Sequence, residues 1–114
     1  MHVDPFALSS CNMLFAGRKL WVLAPPGDPP PAVRMVKCGA CETHCSPPAL
    51  AWFEGFAADP APPGDLLLLE QRAGDLVYTP AGWWHSVLNL EESMALTRHF
   101  CAQADLPQVR KRAR

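Results

Sequence analysis

No stretch of this 114-residue chain approaches the roughly 20 consecutive apolar residues that a bilayer-crossing helix needs. The opening residues Met1-His2-Val3-Asp4 lack the basic and apolar regions of a secretory leader. Charge is sparse, at 18% of residues against 49% hydrophobic, a balance that excludes a disordered chain. The cysteines number five, and an odd count without a leader argues against a disulfide framework. A soluble, intracellular chain without a membrane segment is expected, long enough for one domain with a modest core.

Positive charge is outnumbered in the body of the chain. Residues 1–109 carry 6 basic against 11 acidic groups, whereas Arg110, Lys111, Arg112 and Arg114 crowd the end. The expected division is a domain over residues 1–104 and a basic tail over 105–114. Such a tail reads either as an import-receptor or nucleic-acid contact or as a solvated end.

Residues 74–89, GDLVYTPAGWWHSVLN, organise the rest. Two apolar runs, residues 76–78 and 83–88, flank Pro80-Ala81-Gly82, the pattern of two strands joined by a tight turn. His85 lies inside the second run, the rigid mounting a metal ligand needs. At the other end of the chain His2 and Asp4 form His-x-Asp, and in an extended segment residues i and i+2 share a face. His2 and Asp4 can therefore reach one ion together, with His85 as third ligand. Two imidazoles and a carboxylate on one side of a metal, with open positions opposite, make the facial triad of non-haem Fe(II) oxygenases. Taken singly, His85 reads as a core histidine and His2 with Asp4 as a polar terminus.

Residues 11–16 and 19–23 read as a β-hairpin turning at Gly17-Arg18, with Asn12 and Leu14 on one face and Lys19, Trp21 and Leu23 on one face. The proline-rich residues 24–31 and 60–64 are loops. A short strand is expected over residues 32–37. Ser46 is placed to cap a helix that starts at Pro47, buries Leu50, Phe53, Phe56 and Ala57, and ends at Asp59-Pro60. Residues 66–71, LLLLEQ, read as a strand buried on both faces. Residues 83–100 read as a second hairpin, placing Thr97 beside the strand of His85 and His99 near the site but outside the ligand set. Cys38 and Cys41 have C-x2-C spacing, and Cys45 follows beside His44; a structural zinc on Cys38, Cys41 and Cys45 is one reading and a loop of reduced thiols the other.

The run from His2 to Trp21 is similar to the pattern HxDPxxxxxxNxLxxGxKxW, matching at His2, Asp4, Pro5, Asn12, Leu14, Gly17, Lys19 and Trp21. With PAGWWHSVLNL and MALTRHF, it resembles JmjC-domain oxygenases of the cupin superfamily, most closely the arginine demethylase and lysyl hydroxylase subgroup. The resemblance implies an all-β double-stranded β-helix, or jelly roll, incomplete at its N-terminal side, with one short connecting helix. It implies Fe(II) on His2, Asp4 and His85, and 2-oxoglutarate held by Lys19 at its distal carboxylate and by Asn12 and Thr97. The implied reaction hydroxylates or demethylates protein Lys or Arg side chains, histones among the targets, in the nucleus. Only the C-terminal part of the family's catalytic domain is matched, without its upstream strands and a cosubstrate-binding tyrosine. Two other readings stand beside the enzyme: an inactive jelly-roll fragment serving as a binding module, and a cupin using another metal without 2-oxoglutarate.

Overall fold

The structure, a computed structural model, describes residues 1–39, 41–57 and 65–112, with only the backbone at positions 38, 41, 57 and 112. Along the chain run β1 (Ser9–Ala16), β2 (Arg18–Ala24), β3 (Arg34–Cys38), β4 (Cys41–Cys45), α1 (Ala49–Ala57), β5 (Leu67–Arg72), β6 (Leu76–Thr79), β7 (Trp84–Asn89), β8 (Met94–Phe100) and α2 (Leu106–Arg112). They form two antiparallel three-stranded sheets, ordered β5-β2-β7 and β6-β1-β8, and a β3-β4 hairpin. Among the described residues no helix is long and apolar enough to cross a membrane.

Strands joined by short turns, β1 to β2 and β5 through β8, alternate between the two large sheets. The tight turns joining β1 to β2, β6 to β7 and β7 to β8 are therefore not hairpin turns: β1 pairs with β6 and β8, and β2 pairs with β5 and β7. The reason is burial. A hairpin would lay Leu14 and Trp21 in one layer with nothing facing it, whereas crossing between sheets sets them in opposing layers. Thr97 accordingly sits on a strand paired with β1, not with the strand of His85. This alternation of antiparallel strands between two facing sheets is the expected jelly roll.

Trp21, Leu23 and Val77 fill the space between the sheets. Gln71, fully buried, ties them together: its amide donates to the Asn12 and Asp75 carbonyl oxygens and accepts from Trp21 Nε1 at 2.8 Å. On the outer face of the β5-β2-β7 sheet, Val22, Ala24 and Trp84 pack against Trp52 and Phe53 of α1. Strand β5 is not buried on both faces; it is an edge strand, and Leu67 and Leu68 are exposed.

Helix α1 starts at Ala49, and Ser46 does not cap it. Pro48 has no N–H to give the serine, and the first helical bond runs from Trp52 N–H to the Pro48 carbonyl. Ser46 Oγ instead accepts from the Met1 ammonium at 3.1 Å and donates to the Pro47 carbonyl. The buried face carries Trp52 with Phe53, while Leu50 faces solvent. The expected helix end at Asp59-Pro60 and the second proline loop lie outside the described residues. A second helix forms where a basic tail was expected: α2 packs on the 3-10 turn Pro5–Ala7 that follows Asp4, leaving Arg110 and Lys111 exposed.

Candidate metal and cosubstrate site

His2 is fixed by its backbone. It forms an antiparallel bridge with His85, each N–H donating to the other's carbonyl at 2.9 and 2.8 Å. Directly opposed residues project to the same side, and the two rings lie 4.2 Å apart between centroids. Asp4, two residues on, returns to that side before Pro5 opens the 3-10 turn. Asp4 Oδ1 stands 3.8 Å from His2 Nε2 and 3.7 Å from His85 Nε2, and one ligand atom from each residue lies within 4.8 Å of the others. The structure thus brings together His2, Asp4 and His85, from opposite ends of the sequence. Asp4 and His85 are buried, at 6% and 5% exposure, while His2 closes the group at the surface.

The His85 ring is held in one tautomer. His85 Nδ1 lies 3.2 Å from the Trp83 carbonyl, which accepts only if Nδ1 carries the hydrogen; Nε2 then keeps its lone pair toward Asp4. Burial lowers the His85 pKa. Burial, then the neighbouring His85, pushes His2 down to about 4 against a partial offset by Asp4. Both rings are neutral at pH 7, the form that coordinates a divalent cation. The unfolded chain takes up these protons near pH 6.5 and the native chain only below it, His2 at about 4. Native stability from these groups is therefore present above pH 6.5 and lost as pH falls toward 4. Urea midpoints measured without metal are expected to drop across that window, and a flat profile would contradict it.

A cleft of about 370 Å³ opens beside His2, Asp4 and His85, lined also by Asn12, Lys19, Trp21, Asn89 and Thr97. Asn12 and Thr97 are cross-strand partners, with Asn12 Nδ2 donating to Thr97 Oγ1 at 2.7 Å. Asn12 Oδ1 is buried without a partner among the described residues. Exchanging the two ends of the amide keeps the Thr97 bond, with the hydroxyl now donating, and frees an N–H. An anion in the cleft would accept it. Lys19 is the Cα partner of Asn89, as Leu23 is of His85, so the lysine stands four residues, about 13 Å, along the sheet from the level of His85. Among the described residues it makes no ion pair with a carboxylate. Lys19 and the His2, Asp4 and His85 group line the same cleft, so a cation stands in it apart from the three residues. The donor set and the unpartnered Asn12 atom both suit Fe(II) with an anionic chelator.

Sequence reasoning left out Ser10, whose hydroxyl donates to Asp4 Oδ2 at 2.8 Å, and Gln71, which holds Asn12 through its backbone. The i+6 separation of Ser10 from Asp4 has no periodic signature. The zinc reading on Cys38, Cys41 and Cys45 gains no support, since only the backbone is described at positions 38 and 41. Cys38 and Cys41 are Cα partners at the tip of the β3-β4 hairpin, whereas Cys45 pairs with Arg34 at its base.

A model of the JmjC domain, hydroxylase family matches residues 65–100, which carry His85 and Thr97. The chain is 37% identical to the arginine-specific demethylase JMJ22 of Arabidopsis thaliana over 95% of its own length and 22% of that protein. It is 34% identical to the bifunctional arginine demethylase and lysyl-hydroxylase psr-1 of Caenorhabditis elegans, covering 96% of the chain and 28% of the relative. It is 31% identical to the human 2-oxoglutarate and iron-dependent oxygenase JMJD4, covering 87% and 23%. The chain therefore spans less than a third of the length of these relatives.

Proposed function

This chain belongs to the JmjC-domain family, and on that premise we propose that His2, Asp4 and His85 hold Fe(II) and that the chain serves a 2-oxoglutarate-dependent oxygenase acting on protein side chains. The observation that carries the reading is the meeting of Asp4 Oδ1 with the Nε2 atoms of both histidines, one of them fixed as an acceptor by Trp83. When bound, the iron supplies the O2 activation that couples oxidative decarboxylation of 2-oxoglutarate, to succinate and CO2, with insertion of one oxygen into a substrate C–H bond.

The protein's part is position and charge. Asp4 leaves a divalent ion with one net positive charge, and Lys19 adds another, so the pocket matches a dianion. Lys19 holds the distal carboxylate, a charge-assisted bond strengthened by the half-buried setting of the lysine. Thr97 and Asn12 orient the near end. Trp21, stacked at 6.3 Å from the His85 ring, shuts water out of the inner wall. The substrate class, Lys or Arg side chains, follows the names of JMJ22 and psr-1. Oxygen insertion at a lysyl carbon leaves hydroxylysine, and at an arginine N-methyl carbon it leaves a carbinolamine that releases formaldehyde.

Calorimetry with 2-oxoglutarate under anaerobic Mn(II) tests the assignment. Lys19→Ala is expected to weaken cosubstrate binding at least about tenfold, the loss of one buried charge-assisted bond, with Mn(II) affinity unchanged. Equal 2-oxoglutarate affinity in the variant would return Lys19 to a structural role and favour a cupin that uses no such cosubstrate.

A further inference from the structure

Asp4 is gripped at both oxygens by residues outside the proposed ligand set. Ser10 Oγ donates to Oδ2 at 2.8 Å, and His99 Nε2 lies 3.2 Å from Oδ1. A carboxylate oxygen only accepts, so that His99 nitrogen must carry the hydrogen. Ser10 and His99 are Cα partners across β1 and β8, two residues from the Asn12 and Thr97 pair on the same inward faces. The clamp is thus built into the register of the sheet, and Ser10 is buried behind it.

Building on the metal site proposed above, we infer that Ser10 and His99 are positioning residues that hold Asp4 as a one-oxygen ligand through Oδ1. The geometry carries the step. Oδ1 is the oxygen 3.7 to 3.8 Å from the two histidine nitrogens, and Oδ2 is committed to the serine. A carboxylate free of these bonds can swing to offer both oxygens, filling a coordination position that a chelating cosubstrate or O2 needs. With Ser10 on Oδ2 and His99 on one lone pair of Oδ1, the second lone pair of Oδ1 remains for the metal. His99 is partly exposed and lines the cleft, so it secures this orientation without belonging to the apolar core. Hydrogen-bonded partners of metal ligands are worth about 10- to 100-fold in affinity.

The test uses the full chain with Mn(II) titrated by electron paramagnetic resonance, and with Co(II) for its visible spectrum, both without oxygen. His99→Ala is expected to weaken Mn(II) binding about tenfold and to change the Co(II) band pattern as the carboxylate rotates, while the melting temperature stays that of the parent. His99→Gln, which keeps an N–H donor, is expected to restore most of the affinity and the parental spectrum, a rescue that loss of packing does not predict. Ser10→Ala is expected to change the Co(II) spectrum in the same direction. Parental Mn(II) affinity and Co(II) spectrum in His99→Ala would overturn the inference while leaving the triad intact. A parent chain that binds no Mn(II) would remove the metal site itself, and the clamp with it.

Discussion

His85→Ala is expected to abolish succinate formation from 2-oxoglutarate and to weaken Mn(II) binding by at least about 100-fold, more than the loss of an outer partner costs. His2 reaches the site because its backbone exchanges two hydrogen bonds with the backbone of residue 85, and alanine makes the same two bonds. The substitution therefore leaves His2 and Asp4 where they are and removes one nitrogen. Two ligands cannot define a face of an octahedron, so the ion loses its fixed open side along with its affinity. The ring is buried and tilted against His2, and the cavity it leaves costs an additional ~1–2 kcal/mol of stability. Circular dichroism at a temperature well below the melting transition separates the two losses. A variant that is folded, lacks Mn(II) affinity and lacks turnover supports the triad; persistent turnover ends it.

What the sequence made legible here was set by periodicity. His-x-Asp advertises one face of an extended segment whatever surrounds it, and the same two-residue rule placed Asn12 with Leu14, and Thr97 with His99, on the sides where the structure has them. Partnership between strands was not legible in the same way. Gly17 and Pro80-Ala81-Gly82 announce that the chain reverses, but a reversal within a sheet and a crossing to the facing sheet use the same turn residues. Only the need to cover Trp21, Leu23 and Val77 decides between them, and that is a property of the assembled layers. Gln71 shows the same limit. In LLLLEQ it looks like the polar end of an apolar strand, yet its amide spans the two sheets and supports the backbone of Asn12. The helix α2 went unread because a run of basic residues masks a short segment whose anchor, the 3-10 turn after Asp4, is about 100 residues away in sequence.

The turn at Gly17 is where fold and site meet, and Gly17→Ala is expected to destabilise the chain by about 3 kcal/mol. Two terms add. Gly17 has φ of +87°, a left-handed conformation that costs an L-residue roughly 1–2 kcal/mol. A methyl group there would also collide with the Glu92 carbonyl oxygen and stand 2.9 Å from Ser93 Cα, backbone that has no rotamer to yield, at about 1–3 kcal/mol for overpacking. These atoms belong to the β7 to β8 crossing, which is docked on the β1 to β2 crossing by the Leu90 N–H to the Arg18 carbonyl at 2.9 Å. Pushing the two crossings apart displaces the ends of β2 and β8 nearest Lys19 and Thr97. His85 pairs with Leu23 at the far end of β2, so the metal ligands feel the shift least. The expected signature is a melting temperature lowered by about 10 °C or more, with 2-oxoglutarate affinity reduced further than Mn(II) affinity. Equal losses of both would show that the sheet transmits the strain along its whole length, and an unchanged melting temperature would mean that the two crossings are not held against each other at Gly17.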